Sequence, residues 1–135
     1  MLSIKRVMKT NVISVNPEMP IFDALNLLVQ HKISGMPVVN EQMEVIGILT
    51  EKDVLKLLID INLDIKKTVD DYMTRDVVCF KEEDSAIDVC KFFITRPYRR
   101  VPIVRDGKLV GIVSRRDIVE LILEAKKDIS PFRYV

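Results

Sequence analysis

Two short segments place residues that could do chemistry at one repeated spacing: Thr50-Glu51-Lys52-Asp53 and Ser114-Arg115-Arg116-Asp117. In both, a hydroxyl stands three residues before a carboxylate, where an apolar strand-like run gives way to a helical pattern. A carboxylate at such a junction can accept two hydrogen bonds from a vicinal diol. The helix start beside it offers free N–H groups and partial positive charge that favour phosphate. The same spacing also makes a capping box, with Asp where Glu is usual. That device is worth about 1 kcal/mol and needs no ligand. Both readings stand on the residues alone.

Arg99, Arg100, Arg115 and Arg116 are expected to flank the same cleft as the second of these segments. Two or three charge-assisted hydrogen bonds, at ~1.5–3 kcal/mol each, supply much of the ~8 kcal/mol that a micromolar ligand requires. A solvated basic face or a dimer contact is the alternative. Eight of the nine arginines lie beyond residue 65, so a phosphate-rich ligand should favour the second half. The single histidine, His31, falls near a helix end, where a dipole interaction explains it better than ligation. Catalytic patterns are missing: there is no His-x-x-x-His, no zinc-type Cys/His set, no nucleophile elbow and only four glycines. The expectation is a protein that is not an enzyme, with no metal and no catalytic cofactor.

The elements that must position these residues come from a chain of 135 residues, 48% hydrophobic with mean hydropathy +0.15, enough to bury a core. A net charge of +1 lacks the basic excess of a general nucleic-acid binder. Aromatics at 6%, with no tryptophan, leave few stacking platforms. Cys79 and Cys90 read as buried free thiols of a reducing compartment. Neither a signal-like start nor a run of ~20 apolar residues is present, which points to the cytoplasm.

The sequence is written twice. A shift of 65 lays Met8 on Met73, Val12-Ile13 on Val77-Val78, Asp23 on Asp88 and Pro37-Val38-Val39 on Pro102-Ile103-Val104. After a turn the shift is 64, and Gly47–Asp53 falls on Gly111–Asp117. Val12-Ile13-Ser14-Val15 reads as a strand, and Asn16-Pro17-Glu18 as the opening of a helix. Ile21, Ala24, Leu25 and Leu28 follow helical spacing, as do Ala86, Val89, Cys90 and Phe93. An apolar hairpin runs through Met36–Val39 and Val45–Leu49, and its second copy turns at Asp106-Gly107. Val54, Leu55, Leu57 and Leu58, then Ile118, Val119, Leu121 and Ile122, mark a closing helix in each copy. A short helix is expected near Thr68. The fold class is α+β, with the copies packed about a pseudo-two-fold axis.

The Gly-h-h-Thr/Ser-x-x-Asp segments at 47–53 and 111–117, with Ile33-Ser34-Gly35-Met36-Pro37-Val38 and Tyr98-Arg99-Arg100-Val101-Pro102-Ile103, resemble the CBS (cystathionine β-synthase) domain family. The tandem arrangement resembles its paired form, the Bateman module, from about Met8 to Lys127. The resemblance implies two β-α-β-β-α CBS repeats at 7–60 and 68–127, joined by a linker at 61–67 and followed by a C-terminal tail at 128–135. It also implies a regulatory, energy-sensing module that binds AMP, ADP, ATP or S-adenosylmethionine in clefts between the repeats.

By motif, Asp53 and Asp117 correspond to the family's ribose-binding acid, and Thr50 and Ser114 to its hydroxyl. Ser34-Gly35 and Arg99-Arg100 correspond to the segment flanking base or phosphates. Thr10-Asn11-Val12 and Arg75-Asp76-Val77 correspond to the strand entry that meets adenine. Pro37, Lys52, Tyr98, Pro102, Arg115 and Arg116 complete the implied ligand-binding set. The first copy has Ser34-Gly35 where the second has two arginines. Homodimerisation through 21–29 with 54–59 and 86–94 with 118–123 is expected, with an unknown regulated protein as further partner and no membrane or nucleic acid. The alternative is an interaction or dimerisation scaffold without ligand.

Overall fold

The computed structural model describes residues 2–60 and 64–133, with side chains described as far as residue 127. Residues 61–63 of the expected linker and the last two of the expected tail lie outside it.

Helix α1, Ile21–His31, buries Ile21, Ala24 and Leu28 and half-buries Leu25, the stripe anticipated from their spacing. It does not open at Asn16. The Asn16 side chain accepts from the amide of Glu18 in a turn, and Pro20 biases Met19 away from helical backbone. The helix ends at Lys32, in the left-handed region at φ 53°, whose N–H reaches the carbonyls of Leu28 and Val29. Strands β1, Gly35–Val39, and β2, Val45–Thr50, form an antiparallel hairpin. Two short helices follow, α2 at Glu51–Val54 and α3 at Lys56–Ile59, in place of the single closing helix expected.

The second copy repeats the scheme. Strand β3, Phe80–Lys81, runs parallel to β4, Arg100–Arg105, which pairs antiparallel with β5, Lys108–Ser114. Asp106 and Gly107 both take positive φ, 52° and 78°, as a two-residue hairpin turn requires. Helix α4, Ala86–Thr95, buries Ala86, Val89 and Phe93. Helix α5 then runs unbroken through Arg115–Arg133.

The strand anticipated at 12–15 shrinks to one bridge, with Val15 held parallel to Val38 through Pro37 O and Val39 N. The reason lies just upstream. Lys9 exchanges both backbone hydrogen bonds with Ile112 in the other copy, and Thr74, 65 positions on, does the same with Ile48. Each lead-in segment therefore crosses over. Ile4 and Val7 complete the core of Val89, Phe93, Ile103, Val113 and Leu121. Val69 and Met73, after the 3₁₀ turn Val69–Asp71, complete that of Ile21, Ala24, Met36, Val38 and Leu49.

Glycine permits the crossing. A Cβ on Gly47 would lie 2.9 Å from Thr74 O, and one on its twin Gly111 would lie 2.9 Å from Met8 Sδ. Glu44 bridges Lys108, its own equivalent in the second copy, so the pseudo-two-fold passes between the hairpins. Among the described residues no helix is long and apolar enough to cross a membrane.

Candidate functional site

Strand β2 delivers Thr50 in extended backbone (φ −117°, ψ 164°) directly onto α2, so Thr50 caps the turn that carries Asp53. The capping box forms. Thr50 Oγ1 accepts from Asp53 N at 3.3 Å, and Asp53 Oδ2 accepts from Thr50 N at 2.9 Å and from Thr50 Oγ1 at 3.0 Å. The other carboxylate oxygen, Oδ1, accepts from the Thr74 hydroxyl at 2.9 Å. A carboxylate offers about four lone-pair sites. Capping therefore leaves Oδ1 for a neutral hydroxyl, and Thr74 now supplies one.

Asp53 lines a cavity of about 350 Å³, within the ~300–1,000 Å³ range of small-molecule sites. Ser34, Gly35, Thr50 and Lys52 share this lining with Tyr98, Arg99 and Arg100 from the second copy. Arg100 opens β4 opposite Ser114 and is half-buried. Burial lowers its pKa, while Asp117 and Glu51 pull it back up. The guanidinium remains charged, and its Nε is buried without an acceptor. Tyr98 lies parallel to Phe92, with ring centroids 6.0 Å apart and 5° between planes, and Phe80 meets Phe92 edge-on. Behind Tyr98 a narrower apolar niche is lined by Ile48, Val77, Val78, Val101 and Pro102. The site thus offers a carboxylate with a hydroxyl partner, two guanidiniums and an adjoining apolar wall.

The remaining sequence-chosen residues are placed elsewhere. Thr10 and Asn11 are exposed and Val12 half-buried, none of them lining either cavity. Pro37 is buried in β1 opposite Ile48. Arg75 pairs with Asp70 at 2.5 Å, and Asp76 is exposed. The four arginines do not gather in one cleft. Arg115 donates to the carbonyls of Phe93 and Arg96 at the end of α4, and Arg116 is exposed outside the lining. Arg99 and Arg100 instead join the carboxylate of the first copy, because the pre-proline segments of both copies meet at the seam.

Asp117 forms the same box with Ser114, at 2.8 and 3.1 Å, yet is buried and ion-paired to Lys9 at 3.6 Å. Glu51, Lys56, Thr74 and Pro97 line the cavity without having been singled out. No local pattern marked Thr74, because the carboxylate it serves lies 21 positions away. A wider depression, about 670 Å³, lies between the loops at 14–19 and 39–43, with Glu18 and Glu41 as its charged groups. Among the described residues no group of three or more His, Cys, Asp or Glu is placed to hold a metal ion. Both cysteines are free and half-buried, and burial raises the Cys79 thiol.

Comparison with known proteins agrees with the doubled architecture: the CBS domain family model matches residues 4–60 and again 69–124. The chain belongs to the CBS domain family. The uncharacterised protein MJ1225 from Methanocaldococcus jannaschii is 32% identical over 119 residues, which cover 88% of this chain and 42% of that protein. The chain thus spans less than half of that relative's length. The CBS-pair crystal structure of CBSX2 in complex with AMP superposes with a TM-score of 0.85 at 28% identity, covering 93% of this chain and 99% of that one. The CBS domain pair of protein MJ0100, in complex with 5′-methylthioadenosine and S-adenosyl-L-methionine, gives 0.80 at 29% identity, covering 93% and 98%.

Proposed function

We propose that this CBS pair is a regulatory, non-catalytic module that binds an adenine nucleotide or adenosyl compound in the Asp53 cleft. One observation carries the reading. The carboxylate of Asp53, already oriented by Thr50, faces the same cavity as the guanidiniums of Arg99 and Arg100 and the ring of Tyr98. A ribose diol, an anionic group and a flat base ask for those three surroundings. The ligands named in the two CBS-pair structures, AMP and S-adenosylmethionine, are of this class. Titration calorimetry with AMP, ADP, ATP and S-adenosylmethionine tests it: at least one should bind, and silence from all at millimolar concentration would remove the reading.

The module acts as a homodimer. Leu58 and Ile59 on α3 and Val29 on α1 expose 79–89% of their surface, and Ile94, Val119, Ile122 and Leu123 form the matching apolar patch on α4 and α5. Apolar area of that kind is the material of an interface. Ligand could act on a regulated partner only through a difference in affinity between two arrangements of this assembly. The free thiols suit a cytoplasmic setting.

A further inference from the structure

The two halves differ at one position that touches both clefts. Thr74 and Lys9 are equivalents in the doubled sequence, and each is clamped by two backbone hydrogen bonds to its crossover partner, Ile48 or Ile112. Each also reaches the capping carboxylate of the half it crosses into. Thr74 offers Asp53 a neutral hydroxyl at 2.9 Å; Lys9 offers Asp117 an ammonium at 3.6 Å, with Glu120 at 3.9 Å as its second partner. Asp117 keeps 4% of its surface exposed, whereas Asp53 is half-buried and lines the 350 Å³ cavity.

We propose that Lys9 occupies the Asp117 carboxylate as a tethered cation, so that this chain takes a single ligand, in the Asp53 cleft. The inference rests on the ligand reading above and adds where, and how many, ligands bind. Its chemistry is an exchange argument. A ligand diol entering at Asp53 replaces one neutral hydroxyl donor by another, and the half-buried Thr74 hydroxyl it displaces can turn to ligand or water. A diol entering at Asp117 must compete with the Lys9 ammonium, and with the nearby Arg100 charge, for a carboxylate only 4% exposed, and weakening such a pairing is costly where little water can replace it. The two main-chain hydrogen bonds between Lys9 and Ile112 anchor the Lys9 stem beside β5, within reach of Asp117.

The charge balance of the open cleft follows the same asymmetry. Lys52, Lys56, Arg99 and Arg100 face Glu51 and Asp53 there, an excess of cations that favours a phosphorylated ligand over a sulfonium.

AMP titrated calorimetrically into the full chain, with Asp53→Ala, Asp117→Ala, Lys9→Thr and Lys9→Gln alongside, tests the proposal. The wild type should bind one AMP per chain, Asp53→Ala should abolish binding and Asp117→Ala should keep it. Lys9→Thr, which copies the residue found at 74, should raise the stoichiometry to two. Lys9 is 61% exposed in its side chain, so either substitution should fold, and a thermal melt confirms it. Two AMP per wild-type chain would overturn this inference and leave the ligand reading standing. So would loss of binding in Asp117→Ala alone, or a stoichiometry of one in both Lys9 variants. No binding of AMP or any adenosyl compound by the wild type would overturn both.

Discussion

Asp53 and Asp71 carry the same capping box in different surroundings. Asp71 accepts from Thr68 N at 2.8 Å and from its hydroxyl, and it is exposed, with no cavity beside it. The backbone hydrogen bond from Thr68 holds its carboxyl below the usual aspartate range. Capping and ligand binding can therefore be separated. Asp71→Ala should lower the melting temperature and leave AMP affinity unchanged. Asp53→Ala should lower stability by about 1 kcal/mol and lose AMP binding as well, measured by calorimetry on both variants.

Glu82 gives the pH prediction. It is buried at 8% exposure, and both nitrogens of the Arg105 fork hydrogen-bond it, Nη2 at 2.8 Å. These bonds hold its carboxyl below the usual glutamate range. A lowered folded pKa means that the pair's contribution is complete above the usual range and lost as pH falls through the lowered value. Melts of wild type and Glu82→Gln should differ at neutral pH and converge in acid. The gap should be modest, because Arg105 is 58% exposed and screened.

At the scale of elements, the crossover segments decide stability. Ile4 is wholly buried in a core whose other buried residues, Val7 apart, lie beyond 85, so a nine-residue lead-in completes a domain distant in sequence. Ile4→Ala should cost ~2–5 kcal/mol, read from urea unfolding. Hydrogen exchange should show β4 and β5 loosening before β1 and β2 do. Val69→Ala should reverse that order. Gly47→Ala belongs here too. Its methyl would press on Thr74 O at 2.9 Å, and the adjustment would move the Thr74 hydroxyl away from Asp53. Stability should fall while AMP affinity holds or rises, because the displaced hydroxyl frees Asp53 Oδ1 for the ligand, and melts and titrations of the one variant would show the two moving apart.

For the molecule as a whole, the unpartnered surface is the two apolar helix patches, one on each side of the pseudo-axis. Leu58 is 89% exposed and Ile94 83%. Neither supports its own core, so Leu58→Glu combined with Ile94→Glu should leave the melting temperature of the isolated chain nearly unchanged. Sedimentation velocity should shift from dimer to monomer. An unchanged sedimentation coefficient would place the interface elsewhere.

Periodicity and repetition were enough to locate α1, α4, both hairpins and the reciprocal caps at Thr50–Asp53 and Ser114–Asp117, because each rests on residues within a few positions of one another. Three local readings failed: residues 12–15 gave up their ladder when the lead-in crossed to the other half, the first helix began four residues late behind the Asn16 turn and Pro20, and the closing helix of the first copy split into α2 and α3. The partnership of Asp53 with Thr74, and of Arg99 and Arg100 with the opposite copy, was invisible in the chain order. The two-fold exchange joins residues distant in sequence, Ile48 with Thr74 and Lys9 with Ile112, and no local pattern records which copy of a repeat a segment will pack against. Composition and spacing determined that the chain is a doubled module with a polar notch in each half. Only the packed structure brought Asp53 to a cavity shared with Arg99 and Arg100, and Asp117 to Lys9, since both arrangements depend on contacts made across the seam.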